Sequence, residues 1–404
     1  MIHPIKKKRI LLGVTGSIAA YKSADLASKL TQAGAEVDVI LTKAATAFVS
    51  LLTFQSVTGR KAYVDADLWG DQGHVVHISL GKEADLFVIA PVTANTMAKM
   101  VHGEAGNLLT LTALAAECPI LIAPAMDGGM YSHPATQANL EILKSRKVTI
   151  IGPEAGHLAS GMRAVGRMTE PSDLFGNIRY LFSRSGPLTG KKILVTAGGT
   201  QEAIDPVRFI TNRSSGKQGF AIAQVAIDMG AEVRLISGPN LLPTPIGVER
   251  TDVRSAEEMS AAVISHTANA DVLIMAAAVA DYRPIKNSSE KIKKSSGIPE
   301  IKLKATQDIL KNVSEEKKKS GKPKVIIGFA AESKDVIENA EKKLLEKGLD
   351  FIVANDISAK DAGFEVDTNR VTIISADGSK EALPLLTKEQ VAIAILEKVE
   401  EILK

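Results

Sequence analysis

One phrase occurs twice in the 404 residues and decides most of what the chain can become. Lys8-Arg9-Ile10-Leu11-Leu12 runs through a glycine turn and a helical stretch to Gly34-Ala35-Glu36-Val37. Lys191-Lys192-Ile193-Leu194-Val195 runs in the same way to Gly230-Ala231-Glu232-Val233. Apolar run, glycine turn, helix and second apolar run spell a β-α-β unit, whose parallel strands need a crossover helix lying on the sheet. Two such openings predict two domains, and a chain of this length can bury two cores. Further apolar runs extend each series: residues 9–14, 36–41, 85–91, 119–124 and 147–152, then 191–196, 231–237, 271–278, 324–329, 350–354 and 370–375. Strand alternating with helix places the chain in the α/β class, as two doubly wound, Rossmann-like parallel sheets covered on both faces. Ser183-Arg184-Ser185-Gly186-Pro187-Leu188-Thr189-Gly190 has linker composition, so the domains are read as 1–186 and 187–404.

Composition narrows the partners. Lysine and arginine number 49 against 46 acids, a formal charge of +3 that gives no long-range field for a nucleic-acid backbone. The single cysteine, Cys118, precludes an intrachain disulfide and reads as a small packing residue, which fits a reducing cytoplasm. Lys6-Lys7-Lys8-Arg9 precedes an apolar run, but Gly13 interrupts it well short of the ~7 to 15 residues of a signal core. No stretch reaches the ~18 apolar residues of a membrane span, so the expected location is cytoplasmic, away from membranes. Residues 286–300 and 314–324, rich in Lys, Ser, Gly and Glu, read as solvated loops and helix ends. Val391, Ile395, Val399 and Ile402 follow a helical spacing and read as a core stripe.

In the first half, Gly13-Val14-Thr15-Gly16-Ser17-Ile18-Ala19 follows a strand and opens a helix, an arrangement that offers backbone N–H groups to a phosphate at the positive end of the helix dipole. It lacks the Gly-x-Gly-x-x-Gly pattern of dinucleotide binders, which argues against a pair of nicotinamide-dependent dehydrogenase domains. Thr42, with Thr46 just beyond it, either adds hydroxyls to that phosphate or caps a helix. Ile89-Ala90-Pro91-Val92-Thr93-Ala94-Asn95-Thr96 and Ile122-Ala123-Pro124-Ala125-Met126-Asp127-Gly128-Gly129-Met130 each follow a buried strand, at the edge where open parallel sheets bind ligands. Small residues there admit a planar ring, and Asn95 can donate to and accept from its rim.

With His77-Ile78-Ser79-Leu80, Gly156-His157-Leu158-Ala159-Ser160-Gly161 and Gly166-Arg167-Met168-Thr169-Glu170-Pro171, the whole half resembles the homo-oligomeric flavin-containing cysteine decarboxylases, specifically their phosphopantothenoylcysteine decarboxylase domain. The resemblance implies a flavodoxin-like fold and FMN held by Gly16, Ser17, Ile18, Thr42, Thr93, Ala94, Asn95, Ala125 and Met126. It implies oxidation of a substrate cysteine thiol, loss of carbon dioxide and reduction of the resulting enethiolate, with His77 as the base. An imidazole, with its ordinary pKa of ~6.5, suits that task. His74 is read as a surface residue. Three positions depart from the family. Asp127 stands where asparagine binds the substrate carboxylate, and like-charge proximity there raises its pKa. Ser160 stands where a loop cysteine donates a proton, and a hydroxyl is a far weaker acid than a thiol. Gly106 replaces an aspartate before Asn107. A complete decarboxylase, one that releases the enethiol, and a flavin-binding half with little turnover all remain open on these residues.

In the second half, Thr196-Ala197-Gly198-Gly199-Thr200 follows a strand and Asn212-Arg213-Ser214-Ser215-Gly216-Lys217-Gln218-Gly219 precedes a helix, again suiting an anion. Asp205-Pro206-Val207-Arg208, Ala276-Ala277-Ala278-Val279-Ala280-Asp281-Tyr282, Glu290-Lys291-Ile292-Lys293-Lys294 and Gly328-Phe329-Ala330-Ala331-Glu332 accompany them. Together they are similar to phosphopantothenate-cysteine ligase, and the order of the halves is that of prokaryotic bifunctional coenzyme A biosynthesis proteins. The resemblance implies transfer of CMP from CTP to the carboxylate of 4'-phosphopantothenate, followed by displacement of CMP by cysteine. Two anions meet in that first step, so lysines and a divalent cation such as Mg2+ must screen them. By resemblance Asp281, Lys291, Asp308, Phe329, Lys343 and Lys347 contact CTP, Asn212 holds the acyl-cytidylate, and Arg208 belongs to the same site. Lys343 and Lys347, four residues apart, share one face of a helix. The family further implies a trimeric flavin domain and paired ligase domains. A ligase fused to a flavin-binding oligomerisation module is the competing reading.

Overall fold

The computed structural model describes residues 3–69, 75–293, 300–332, 334–356 and 366–404. These form two compact units, one of residues 5–181 and one built on residues 182–404.

The first unit grows from β1 (Arg9–Val14), α1 (Ala20–Gln32), β2 (Glu36–Leu41), α2 (Leu51–Thr58), β3 (Ala62–Tyr63), α3 (Val76–Glu83), β4 (Leu86–Val92), α4 (Ala94–His102), α5 (Leu108–Ala115) and β5 (Ile120–Pro124). It continues through α6 (Gly128–Ser132), α7 (Pro134–Ser145) and β6 (Thr149–Ile150), then β7 (Glu154–His157), β8 (Arg163–Arg167) and α8 (Pro171–Ser183). The six-stranded parallel sheet has the order β3-β2-β1-β4-β5-β6. Without the two-residue edge strand β3, that is the flavodoxin-like order. Every residue of β4 is buried, because helices cover both sheet faces; the strand therefore reads as an unbroken apolar run. β7 and β8 form an antiparallel hairpin that no apolar alternation announces; Met126 N donates to Gly166 O at 3.0 Å and ties it to the end of β5.

The second unit contains β9 (Lys192–Ala197), β10 (Gln201–Ala203), β11 (Phe209–Thr211), α9 (Lys217–Asp228), β12 (Glu232–Ser237), β13 (Glu249–Asp252), α10 (Ala256–Thr267) and β14 (Val272–Met275). Beyond them come β15 (Tyr282–Pro284), β16 (Leu303–Ala305), α11 (Ile309–Ser320), β17 (Val325–Glu332), α12 (Val336–Lys347) and β18 (Phe351–Asp356). The chain ends with β19 (Thr368–Asn369), β20 (Val371–Ser375), β21 (Lys380–Ala382), β22 (Leu386–Thr387) and α13 (Lys388–Leu403). The sheet runs β13-β12-β9-β14-β17-β18-β20-β21. Its first six strands are parallel in the order of a dinucleotide-binding fold. The last two strands are antiparallel, which corrects the expectation of a wholly parallel sheet: the turn at Asp377-Gly378, with Gly378 at φ +85°, folds β20 back on β21. In α13, Val391, Ile395 and Val399 are buried as the stripe predicts. Ile402, in the last turn of the helix, is 50% exposed and falls outside that stripe.

Candidate functional site

In each unit a cavity opens where strand order reverses, at the carboxyl ends of the strands, where crossovers leave on opposite faces and part the loops. The first, of about 810 Å³, lies within the range for small-molecule sites. All nine residues expected to hold the flavin line it: Gly16, Ser17 and Ile18 after β1, Thr42 after β2, Thr93, Ala94 and Asn95 after β4, Ala125 and Met126 after β5. Thr15 locks two of these loops, its hydroxyl donating to Pro91 O at 2.8 Å and accepting from Thr93 N at 3.1 Å. Thr93 caps α4, so Asn95 sits in the first turn with its amide in the cavity wall. Thr42 Oγ1 accepts from Ala45 N at 3.3 Å, and the residue lines the cavity.

Asp127 and Ser160 meet here. The Ser160 hydroxyl donates to Asp127 Oδ2 at 2.8 Å, and Gly129 N donates to Oδ1 at 2.9 Å, which makes Asp127 the cap of α6. The Ser160 bond, then the Gly129 bond, hold the Asp127 carboxyl below its ordinary range. In the protein alone Asp127 is thus an ionised acceptor; the rise expected from like-charge proximity needs a second carboxylate. His77 does not join this cavity. It lies half-buried on α3, and its Nδ1 has no hydrogen-bond partner among the described residues. His74 falls outside the described residues. Sequence reasoning missed Lys22, which lines the cavity, is 8% exposed, and donates to Met168 O at 3.2 Å and Glu170 Oε1 at 2.8 Å. Arg167 also pairs with Glu170. The Lys22 bond lowers the Glu170 pKa despite the opposing cost of burial.

The second cavity, of about 780 Å³, is lined by the loop from Asn212 to Gly219, the ends of β14 and β17, and α12. Gly216, at φ +79°, turns the chain into α9 where a side chain would be strained. Asn212 Nδ2 donates to Ala278 O at 3.3 Å and Val279 O at 3.1 Å, joining that loop to the end of β14. Asp281, Asp308, Phe329, Lys343 and Lys347 line the same space. Lys343 Nζ donates to Phe329 O at 3.0 Å, and Lys347 pairs with Asp308. Burial lowers the Lys343 pKa, against the opposing pull of Asp281 and Glu332. Burial raises that of Asp308, but its bonds with Lys347 and Lys311 N prevail and leave it below the ordinary value.

Two expected members stand outside this lining. Arg208 is paired with the fully buried Asp205 side chain at 3.2 Å and donates to Ile292 O at 3.3 Å. Asp205 also accepts from Val207 N and Arg208 N, each at 2.8 Å, and from Ile292 N at 3.2 Å. Lys291 is exposed on the segment this clasp anchors, and Lys294 lies outside the described residues. Sequence reasoning also overlooked Lys388, Asn355 and Asn369, which line the cavity. Lys388 precedes Val391 by one helical turn, so the core spacing itself marked its burial.

Residues 2–183 match the family model described as Flavoprotein, and residues 188–403 match the DNA/pantothenate metabolism flavoprotein C-terminal domain. The coenzyme A biosynthesis bifunctional protein CoaBC of Bacillus subtilis (strain 168) is 44% identical over 398 residues, covering 98% of this chain and 97% of the relative. That of Vibrio vulnificus (strain CMCP6) is 44% identical over 398 residues, covering 98% of both. Among solved structures, the C-terminal domain of a coenzyme A biosynthesis bifunctional protein CoaBC is 48% identical and covers 54% of this chain and 98% of that one, with a TM-score of 0.46.

Proposed function

The chain belongs to the family of coenzyme A biosynthesis bifunctional proteins, whose ligase and decarboxylase roles it combines, and from that premise we propose how its two cavities divide the chemistry. We assign ligation to residues 187–404 and decarboxylation to residues 1–186. The observation that carries the assignment is convergence: the nine residues expected to hold flavin line one cavity, and Asn212 with Asp281, Asp308, Phe329, Lys343 and Lys347 line the other.

In the ligase cavity the carboxylate oxygen of 4'-phosphopantothenate bonds to the α-phosphorus of CTP as the bond to pyrophosphate breaks. The cysteine amine then forms the amide and loses a proton as CMP leaves. Lys343 and Lys347 supply positive charge where two anions meet, and Asp281 and Phe329 face the nucleoside. Asn212, held by two backbone carbonyls, presents a fixed amide to the acyl-cytidylate. Arg208 and Asp205 act by anchoring the segment that carries Lys291, whose charge serves the triphosphate. A divalent cation such as Mg2+ would be carried by the nucleotide and would screen charge as the two anions meet.

The first cavity suits FMN: a wall of Gly16, Ala44, Ala94 and Ala125 admits a flat ring, and hydroxyls and N–H groups at the start of α1 suit a phosphate. FMN, when bound, accepts electrons from the substrate thiol and returns them after decarboxylation. Asn95 orients the ring edge, and Asp127 with Ser160 faces the substrate. Ile18 and Tyr21, 59% and 62% exposed, line the mouth, and Phe48 and Leu52 are 49% and 67% exposed. Apolar exposure of Ile18 and Tyr21 at a ligand site supports homo-oligomerisation. Mass spectrometry after incubation with phosphopantothenate, cysteine, CTP and Mg2+ tests both halves: 4'-phosphopantetheine is expected, and accumulation of phosphopantothenoylcysteine alone would remove the decarboxylase assignment.

A further inference from the structure

Two long helices begin side by side at the ligase cavity, and each opens with a lysine: Lys217 on α9 and Lys388 on α13. The starts are stitched together. Gln218 Nε2 donates to Lys388 O at 3.1 Å, Lys217 Nζ donates to Asp367 Oδ1 at 2.6 Å, and Lys388 N donates to Asp367 O at 3.0 Å. A Thr387–Gln390 capping box fixes the first turn of α13. Lys388 is 7% exposed, yet it lines the cavity.

The second observation is a pair of buried amides on the same wall. Asn355 at the end of β18 and Asn369 in β19 are 6% and 2% exposed, and each Oδ1 has no hydrogen-bond partner among the described residues. Buried amides are ordinarily satisfied, so their unmet capacity points to a polar ligand. An amide can turn either its oxygen or its NH2 toward such a ligand. Two helix starts and two lysines are the complement of a phosphoryl group, positive dipole ends and ammonium charge, and the two amides join them as donors once their NH2 groups are turned to the cavity.

We propose that Lys388, with Lys217, Asn355 and Asn369, forms a phosphoryl subsite in the ligase cavity. Its occupant is either the terminal end of the nucleotide triphosphate or the phosphate ester of the acid substrate; both present the same chemistry. The subsite stands on this geometry, and only the identity of the phosphate carrier rests on the ligase reading. Burial, and then the charge of Lys217, lower the Lys388 pKa to about 8 against the opposing charge of Asp367. The other charged side chains lining the cavity are Arg213, Asp281, Asp308, Glu332, Lys343 and Lys347. An arriving anion favours the charged lysine, so binding takes up protons.

Calorimetry of the full chain with inorganic pyrophosphate and inorganic phosphate, at pH 8 in two buffers of different ionisation enthalpy, tests this. The wild type is expected to take up about half a proton per pyrophosphate bound, since near its pKa half of Lys388 is uncharged. Lys388→Met should weaken pyrophosphate binding at least tenfold and abolish the uptake. Lys388→Arg should keep binding within about threefold without uptake, because guanidinium is already charged. Pyrophosphate and phosphate affinities within twofold of wild type in a folded Lys388→Met variant, or undiminished uptake in Lys388→Arg, would overturn the subsite. Steady-state kinetics separates the carriers. A tenfold rise in KM for CTP alone assigns the triphosphate, and the same rise for phosphopantothenate alone assigns the ester. Wild-type protein that binds pyrophosphate with uptake but releases none from CTP would sink the ligase reading and leave the subsite standing.

Discussion

At the residue scale, Asp127 and Ser160, which the family resemblance marks as departures, bond to each other. An ionised Asp127 repels a substrate carboxylate, so Asp127→Asn should lower KM for phosphopantothenoylcysteine severalfold in a carbon dioxide release assay; a higher KM would show that the carboxylate is used as it stands. Ser160→Cys supplies a stronger acid and should raise 4'-phosphopantetheine relative to enethiol, read by mass spectrometry. In the ligase half, Lys291→Gln should stop CTP-dependent pyrophosphate release, and unchanged turnover would remove Lys291 from the site. Lys388 sets a pH dependence of another kind. Burial disfavours its charged form, so between about 8 and its ordinary 10.5 the unfolded chain holds more protons. Stability of the ligand-free protein should therefore rise with pH across that window and be flat with respect to this group below it. Denaturant midpoints from pH 7 to 10.5 measure the slope, which Lys388→Met should reduce. The nine residues that the resemblance assigns to flavin all line one cavity, because each stands in a turn at the carboxyl end of a parallel strand. Lys22 was not legible in the sequence, since a lysine's letter does not say whether its helix face meets solvent or a cavity; for Lys388 the helical spacing to Val391 marked the burial but not the cavity.

At the element scale, glycines decide whether the loops can close on their cavities. A Cβ at Gly166 would lie 2.2 Å from Met126 O, so the β7–β8 hairpin approaches the end of β5 only because that position carries no side chain. Gly166→Ala should push the hairpin off the cavity and lower flavin occupancy, read as absorbance near the visible flavin band against protein concentration; full occupancy would show that the hairpin tolerates the shift. The buried strands were readable as apolar runs. Both small hairpins near the ligase cavity, β10–β11 and β15–β16, escaped notice, because three-residue strands lack enough alternation to distinguish them from turns.

At the scale of the whole molecule, each unit has its own sheet and its own buried core. Residues 1–186 and 187–404 expressed separately should each melt cooperatively, the first yellow and the second retaining CTP-dependent ligation; aggregation of both would show that the division fails. By itself the sequence determined the repeated β-α-β architecture and the two ligand-binding edges, because burying both faces of a parallel sheet forces long apolar runs and loop signals at their ends. Tertiary structure alone decided the exceptions among the polar side chains that share a cavity. His77, Arg208 and Lys291 leave the linings they were expected to join, while Lys22, Lys388, Asn355 and Asn369 enter them. Such membership depends on contacts between residues far apart in the chain, where a charge is buried or freed by elements its neighbours in sequence do not specify.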